Sequence, residues 1–116
     1  FIPHHDTELR NEKAGSVEKT IIILALVRLL LPKVLLPATT ALGTVSEDGR
    51  LRGFASGANV VMPNVTPPEF RDKYALYNGK KNTGDEAAEG LRQTCEMIRK
   101  NNYEVDMGRG DSKVKY

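Results

Sequence analysis

The sequence contains no tryptophan and a single cysteine, Cys95, and aromatics make up only 6% of it. One thiol cannot close an internal disulfide, which fits a reducing, cytoplasmic compartment. Neither sign of charge dominates: 17 Lys+Arg stand against 15 Asp+Glu, a net charge of +2. Nucleic-acid binding needs a concentrated basic face, so this balance argues against it. The longest apolar run, Ile21 to Leu31, is interrupted by Arg28. It falls short of the roughly 20 residues that cross a bilayer, so no membrane span is expected. Internal repeats, low-complexity stretches and a secretory signal are all missing. The 116 residues start at Phe1 rather than Met, so a cut or processed piece is expected. A chain of this length makes one domain at most, able to bury roughly two thirds of its unfolded surface.

What is present is punctuated clearly. Ser16 can cap a helix that Pro32 ends. The three isoleucines 21–23 alone would suit a strand, but the length between cap and proline favours a helix. That helix is apolar nearly all round, so it should be sandwiched between other elements. Val34 to Thr40 ("VLLPATT") reads as a short strand with a bulge or end near Pro37. Gly43 falls in a turn, and Ser46 caps a helix to about Ser56 that Gly57 stops. Asn59 to Pro63 ("NVVMP") is a second strand. Thr66 to Glu69 is a capping box with proline at the first helical position. The helix it opens places Phe70, Tyr74 and Tyr77 on one face. A second box, Thr83 to Glu86, opens a last helix to about Asn101, with Ala87, Leu91, Cys95 and Ile98 as its apolar stripe. Alternating strands and helices predict an α/β fold with parallel strands and flanking helices.

Several stretches carry a family resemblance: "FIPHHDTELRNEKAG", "ALVRLLLP", "LLPATTALGTV", "GANVVMPNVTPPEFRDKYALYNGK" and "GRGDSKV". They resemble the C-terminal third of HydE-family radical S-adenosylmethionine enzymes. These help to assemble the active-site cluster of [FeFe] hydrogenase and are related to biotin synthase. The resemblance implies that 1–116 is one segment of the biotin and thiamin synthesis associated (BATS) type, with 108–116 as a polar tail. It implies the last βα units of a (β/α)8 TIM-type barrel. Biotin synthase itself is the neighbouring reading. Its corresponding strand carries an arginine facing an auxiliary iron–sulfur cluster, whereas "LLPATTALG" has none.

The same resemblance implies site residues. Thr39, Thr40 and Tyr77 match positions that hold a small amino-acid-like substrate, the two threonines taking its carboxylate. Ile2, Met62, Tyr74 and Leu76 match positions that line the cofactor cavity. Ile2 lies in a stretch that passes the adenosyl group in the family. Hydroxyls suit a carboxylate because they place no fixed charge beside a radical intermediate, and tyrosines exclude water while offering a hydroxyl. Read from the residues alone, Thr39 and Thr40 are ordinary β-branched strand positions, and Phe70 belongs to a helix core stripe.

The cofactors implied are S-adenosylmethionine and a [4Fe-4S] cluster in the full-length parent. The cluster is held by CxxxCxxC, and this chain has one thiol, so neither cofactor and no catalytic residue is expected in this piece alone. Some relatives carry extra cysteines for a second cluster, and "NGKKNTGDEAAEG" has none. His4-His5-Asp6 suggests a metal site, but adjacent histidines diverge and no further ligand is near. The family usually has proline at His5. Arg109 to Ser112 spells an adhesion tetrapeptide that the family tail explains as well. Cys95 reads as a small buried apolar residue. Implied partners are the small substrate and hydrogenase maturation proteins, and the isolated piece is expected to form homo-oligomers through exposed apolar surface and strand edges. A non-catalytic partner-binding module is the alternative.

Overall fold

The structure, a computed structural model, describes residues 1–74, 76–79 and 87–112. It divides into two compact units: Phe1–Met62 with Leu76–Lys81 and Gly110–Tyr116, and Pro63–Ala75 with Asn82–Arg109.

The first unit holds a short 3-10 turn (Glu8–Asn11), α1 (Val17–Leu30), α2 (Thr40–Val45) and α3 (Gly49–Ala55). α1 starts as its sequence predicts. Ser16 is extended, and its hydroxyl accepts the Lys19 amide at 3.3 Å. Arg28, the one charge in the apolar run, closes the other end. Its Nη1 donates to the Pro32 carbonyl at 2.7 Å, and its Nε donates to the Gly57 carbonyl at 2.8 Å. A cation at a helix C-terminus also suits the macrodipole. Leu24, Ala38, Leu42, Phe54 and Ala58 are buried and make the core of this unit. Burying a large apolar side chain contributes roughly 1.5–3 kcal/mol, so Leu24, Leu42 and Phe54 dominate it. The expected sandwiching of α1 is not met here: Leu24 is its one buried residue, and Leu29 stays 79% exposed.

The expected α/β barrel segment is corrected: among the described residues there are helices and no strand or sheet. The two predicted strands meet in a single isolated parallel bridge, Pro37 to Val60. The Leu36 carbonyl accepts from the amides of Asn59 at 2.8 Å and Val60 at 3.1 Å, and Ala38 donates to the Val60 carbonyl at 2.8 Å. The pairing stops for physical reasons. The Leu36 amide is taken by the Asn59 side chain at 2.8 Å. Pro37 has no amide to give. Thr39 then turns the chain into α2 by capping it.

The predicted helix 46–56 forms as α3, Gly49–Ala55, with Asp48 instead of Ser46 at its N-cap. Gly43 lies within α2 instead of a turn, and the Ser46 amide closes α2 on the Leu42 carbonyl at 3.2 Å. The Ser46 hydroxyl bonds the Asp48 carboxylate, and α3 begins at Gly49.

The second unit holds a 3-10 helix (Pro68–Tyr74) and α4 (Ala87–Lys100). Asn64 Oδ1 accepts the Thr66 amide at 3.2 Å, and the Phe70 amide reaches back to the Pro67 carbonyl at 3.0 Å. Arg71, 4% exposed, donates from Nε to the Thr66 carbonyl at 2.9 Å and fixes the proline corner. A 3-10 helix has three residues per turn, so an i, i+4, i+7 ring stripe cannot form on it. The structure corrects that expectation: the helix ends at Tyr74, Tyr77 lies beyond it in a bend, and Phe70 is 48% exposed instead of in a core. Thr83 to Glu86 lie outside the described residues. In α4, Thr94 and Ile98 are buried and Cys95 is half-buried. Its end is closed by Tyr103 donating to the Ile98 carbonyl at 3.2 Å, with Asn102 at a φ of 62°. That left-handed residue is the usual helix stop, and asparagine tolerates it.

Candidate functional site

The site builds from the α2 entry in the first unit. Thr39 is extended, and its Oγ1 accepts the Leu42 amide at 3.2 Å. Thr40 is the first residue of α2, half-buried, and its carbonyl accepts from the Thr44 hydroxyl at 3.0 Å. Arg50 comes from the first turn of α3, and its Nη2 donates to Thr40 Oγ1 at 3.2 Å. Gly43 faces the same side chain: a Cβ there would lie 3.2 Å from Arg50 Cγ. The absent side chain leaves the room in which the arginine stem lies.

Each threonine oxygen therefore already accepts a bond from the protein. A hydroxyl has one proton to donate besides its lone pairs, and in both threonines that proton is unspent. Two further polar atoms are buried and unpartnered: Arg50 Nε and the Tyr77 hydroxyl. Burial holds the Arg50 pKa below its ordinary value, and the neighbouring Tyr77 opposes that shift. The arrangement is rich in donors and poor in acceptors. A buried unpaired donor costs about 1–3 kcal/mol, which an incoming acceptor recovers.

Tyr77 is positioned from the N-terminal loop. The Asn78 amide donates to the Pro3 carbonyl at 3.2 Å, and Asn78 Oδ1 takes the His5 amide at 3.1 Å and lies 2.9 Å from His5 Nδ1. The His4 and His5 rings stack, with centroids 4.3 Å apart. His5 thus anchors the loop that carries Tyr77. Among the described residues no group of three or more His, Cys, Asp or Glu could hold a metal ion.

The structure brings Thr40 to Arg50, and Tyr77 is near enough to raise the arginine's pKa. Thr39 joins Ile2 around a separate small cavity of about 50 Å³ that Thr20, Leu42 and Val45 also line. One water needs about 10–15 Å³ of such space, so the cavity takes a few waters and no more. Met62 and Leu76 are each 68% exposed, and neither lines this cavity. The side chain of Tyr74 lies outside the described residues. Sequence reasoning missed Arg50, His5 and Asn78 as site-building residues. A half-buried arginine in "GRLRG" has no spacing signature; its trace is the glycine at 43 that makes room for it.

No family model matches the chain. The chain is nonetheless a relative of a hydrogenase maturase. It is 52% identical over 80 residues to the [FeFe] hydrogenase maturase subunit HydE of Thermotoga maritima. That match covers 69% of this chain, which spans 23% of the relative's length. The matched stretch is a HydE-type segment. Among the described residues no helix is long and apolar enough to cross a membrane.

Proposed function

We propose that this chain is part of a radical S-adenosylmethionine enzyme that matures the [FeFe]-hydrogenase cluster, where it forms a substrate-holding wall. Thr39, Thr40 and Tyr77 hold the carboxylate of a small amino-acid-like substrate. The resemblance assigns Ile2, Met62, Tyr74 and Leu76 to the cofactor side in the full-length enzyme. The observation that carries this reading is the set of unspent donors: two threonine hydroxyls whose oxygens already accept bonds, and a buried Tyr77 hydroxyl with no partner. Identity to a HydE subunit supports this class of enzyme.

A [4Fe-4S] cluster does not fit the residues of this chain, which has one thiol where three thiolates are needed. The cavity at Ile2 is likewise too small for an adenosyl group. The work of these residues is therefore binding and orientation. Thr39 and Thr40 donate to the carboxylate, and Tyr77 donates while its ring keeps water out. Orientation alone is a substantial contribution, because a fixed reactant geometry removes an entropic barrier.

The test is Thr40→Val in the intact protein, with Thr39→Ser as the control that keeps the α2 cap. Thr40→Val lowers maturation activity and affinity for L-alanine, used as a carboxylate probe, by about tenfold or more, as expected for a lost bond to a charged group. Thr39→Ser leaves both near wild type. Unchanged activity and affinity in Thr40→Val would show that the threonine is structural.

A further inference from the structure

We infer that Arg50 is a positioning residue for the carboxylate site, an inference that rests on the proposed role of Thr40. The arginine acts through the threonine. Its Nη2 donates to Thr40 Oγ1 at 3.2 Å. That bond occupies the threonine oxygen and leaves the hydroxyl proton to point elsewhere, so a rotor with several orientations becomes a committed donor. Arg50 is held for this task. Its stem lies in the space left by Gly43, where a Cβ would sit 3.2 Å from Cγ and 3.3 Å from Nε. It makes no ion pair with a described carboxylate: the salt bridges of the described residues involve Arg52 and Arg92. The half-buried Arg50 spends Nη2 on a neutral hydroxyl, and its buried Nε has no partner. Here the missing counter-charge is supplied by the ligand carboxylate, one hydroxyl removed from the cation. That spacing gives the site its preference for an anion without a guanidinium touching the substrate.

The second observation is Tyr77. Its hydroxyl is also buried and unpartnered, and it interacts electrostatically with Arg50. The Thr40 and Tyr77 hydroxyls each have a proton to offer, and the group that takes both is an acceptor. A carboxylate does so, with two oxygens and about four lone-pair positions; a carboxamide has only one acceptor oxygen and adds two donors.

A double-mutant cycle in the intact protein tests this, with L-alanine and its amide, alaninamide, as probes in NMR titrations. Arg50→Met and Thr40→Val each weaken L-alanine binding about tenfold, and the double variant is no weaker than either alone, because the arginine acts only through the hydroxyl. Alaninamide, already weak, changes less than threefold in every variant. Multiplicative losses in the double variant would overturn the inference, since Arg50 would then act independently of Thr40. So would a melting temperature lowered by Arg50→Met with L-alanine affinity intact, which marks a purely structural arginine. If Thr40→Val alone leaves L-alanine affinity unchanged while Arg50→Met lowers it, the threonine reading fails and with it the positioning role; that pattern is distinct from multiplicative loss.

Discussion

Arg28 ties the end of α1 to the turn after α3, its Nε donating to the Gly57 carbonyl at 2.8 Å across a glycine held at a φ of 104°. The contact is close: a Cβ on Gly57 would lie 2.6 Å from Arg28 Cβ and Cγ. Both the backbone conformation and the space demand glycine. Gly57→Ala is therefore expected to destabilise the fold by about 1–3 kcal/mol or more. Urea unfolding reads this as a lower midpoint at unchanged slope. A midpoint equal to wild type would mean that the turn relaxes freely.

Much of α1 was legible in the sequence because its signals agree: a serine cap, a proline stop and a length only a helix fits. Of the α4 stripe, Ile98 is buried and Cys95 half-buried, while the buried Thr94 was not part of it. The stretch 34–40 was not legible. A short apolar run with β-branched residues reads equally as strand or helix entry. Threonine serves both readings, favoured in strands and as an N-cap, and Thr39 caps. The ring stripe failed because a capping-box pattern does not distinguish a 3-10 turn from an α-helix. Thr40 and Tyr77 were named as site residues through resemblance alone. Arg50 was not, because its role depends on a contact between two helices that no local pattern encodes.

On α4, Arg92 bonds Glu89 at 2.6 Å and also pairs with Glu96. The Arg92 bonds to Glu89 and one from Gln93 lower the Glu89 pKa from 4.5 to about 2. A depressed folded-state pKa gives stability that is present above the unfolded value and lost as pH falls through the folded one. The contribution is therefore complete above about pH 4.5 and vanishes toward pH 2. The carboxylate is exposed, so salt screens it. Carbon NMR should place the Glu89 midpoint well below that of a free glutamate, and Arg92→Gln should return it toward 4.5.

The face of α1 formed by Ile22, Ile23, Leu26, Leu29 and Leu30 is 52–79% exposed. Apolar surface left in water is worth about 25 cal/mol per Å² on burial. The isolated 116-residue chain is accordingly expected to associate. Light scattering at micromolar concentration should give a mass above 12.8 kDa. Leu26→Glu with Leu29→Glu should shift it toward the monomer. A wild-type chain that is monomeric under these conditions would refute this.

Anaerobic reconstitution of the isolated chain with iron and sulfide should leave it without a stoichiometric cluster, because one thiol cannot replace three. Iron and sulfide analysis checks this directly, and four irons per chain would contradict it.

The central claim, that this wall holds a carboxylate, is tested most directly by Tyr77→Phe in the intact protein. The Tyr77 hydroxyl is buried and unpartnered, so its removal deletes a desolvated donor and keeps the ring. If the hydroxyl serves a ligand, stability without ligand rises by up to about 1 kcal/mol while L-alanine affinity falls about tenfold. Calorimetry and titration on the same sample give both values. A loss of stability with affinity unchanged would show that the hydroxyl serves the fold, and would contradict the account.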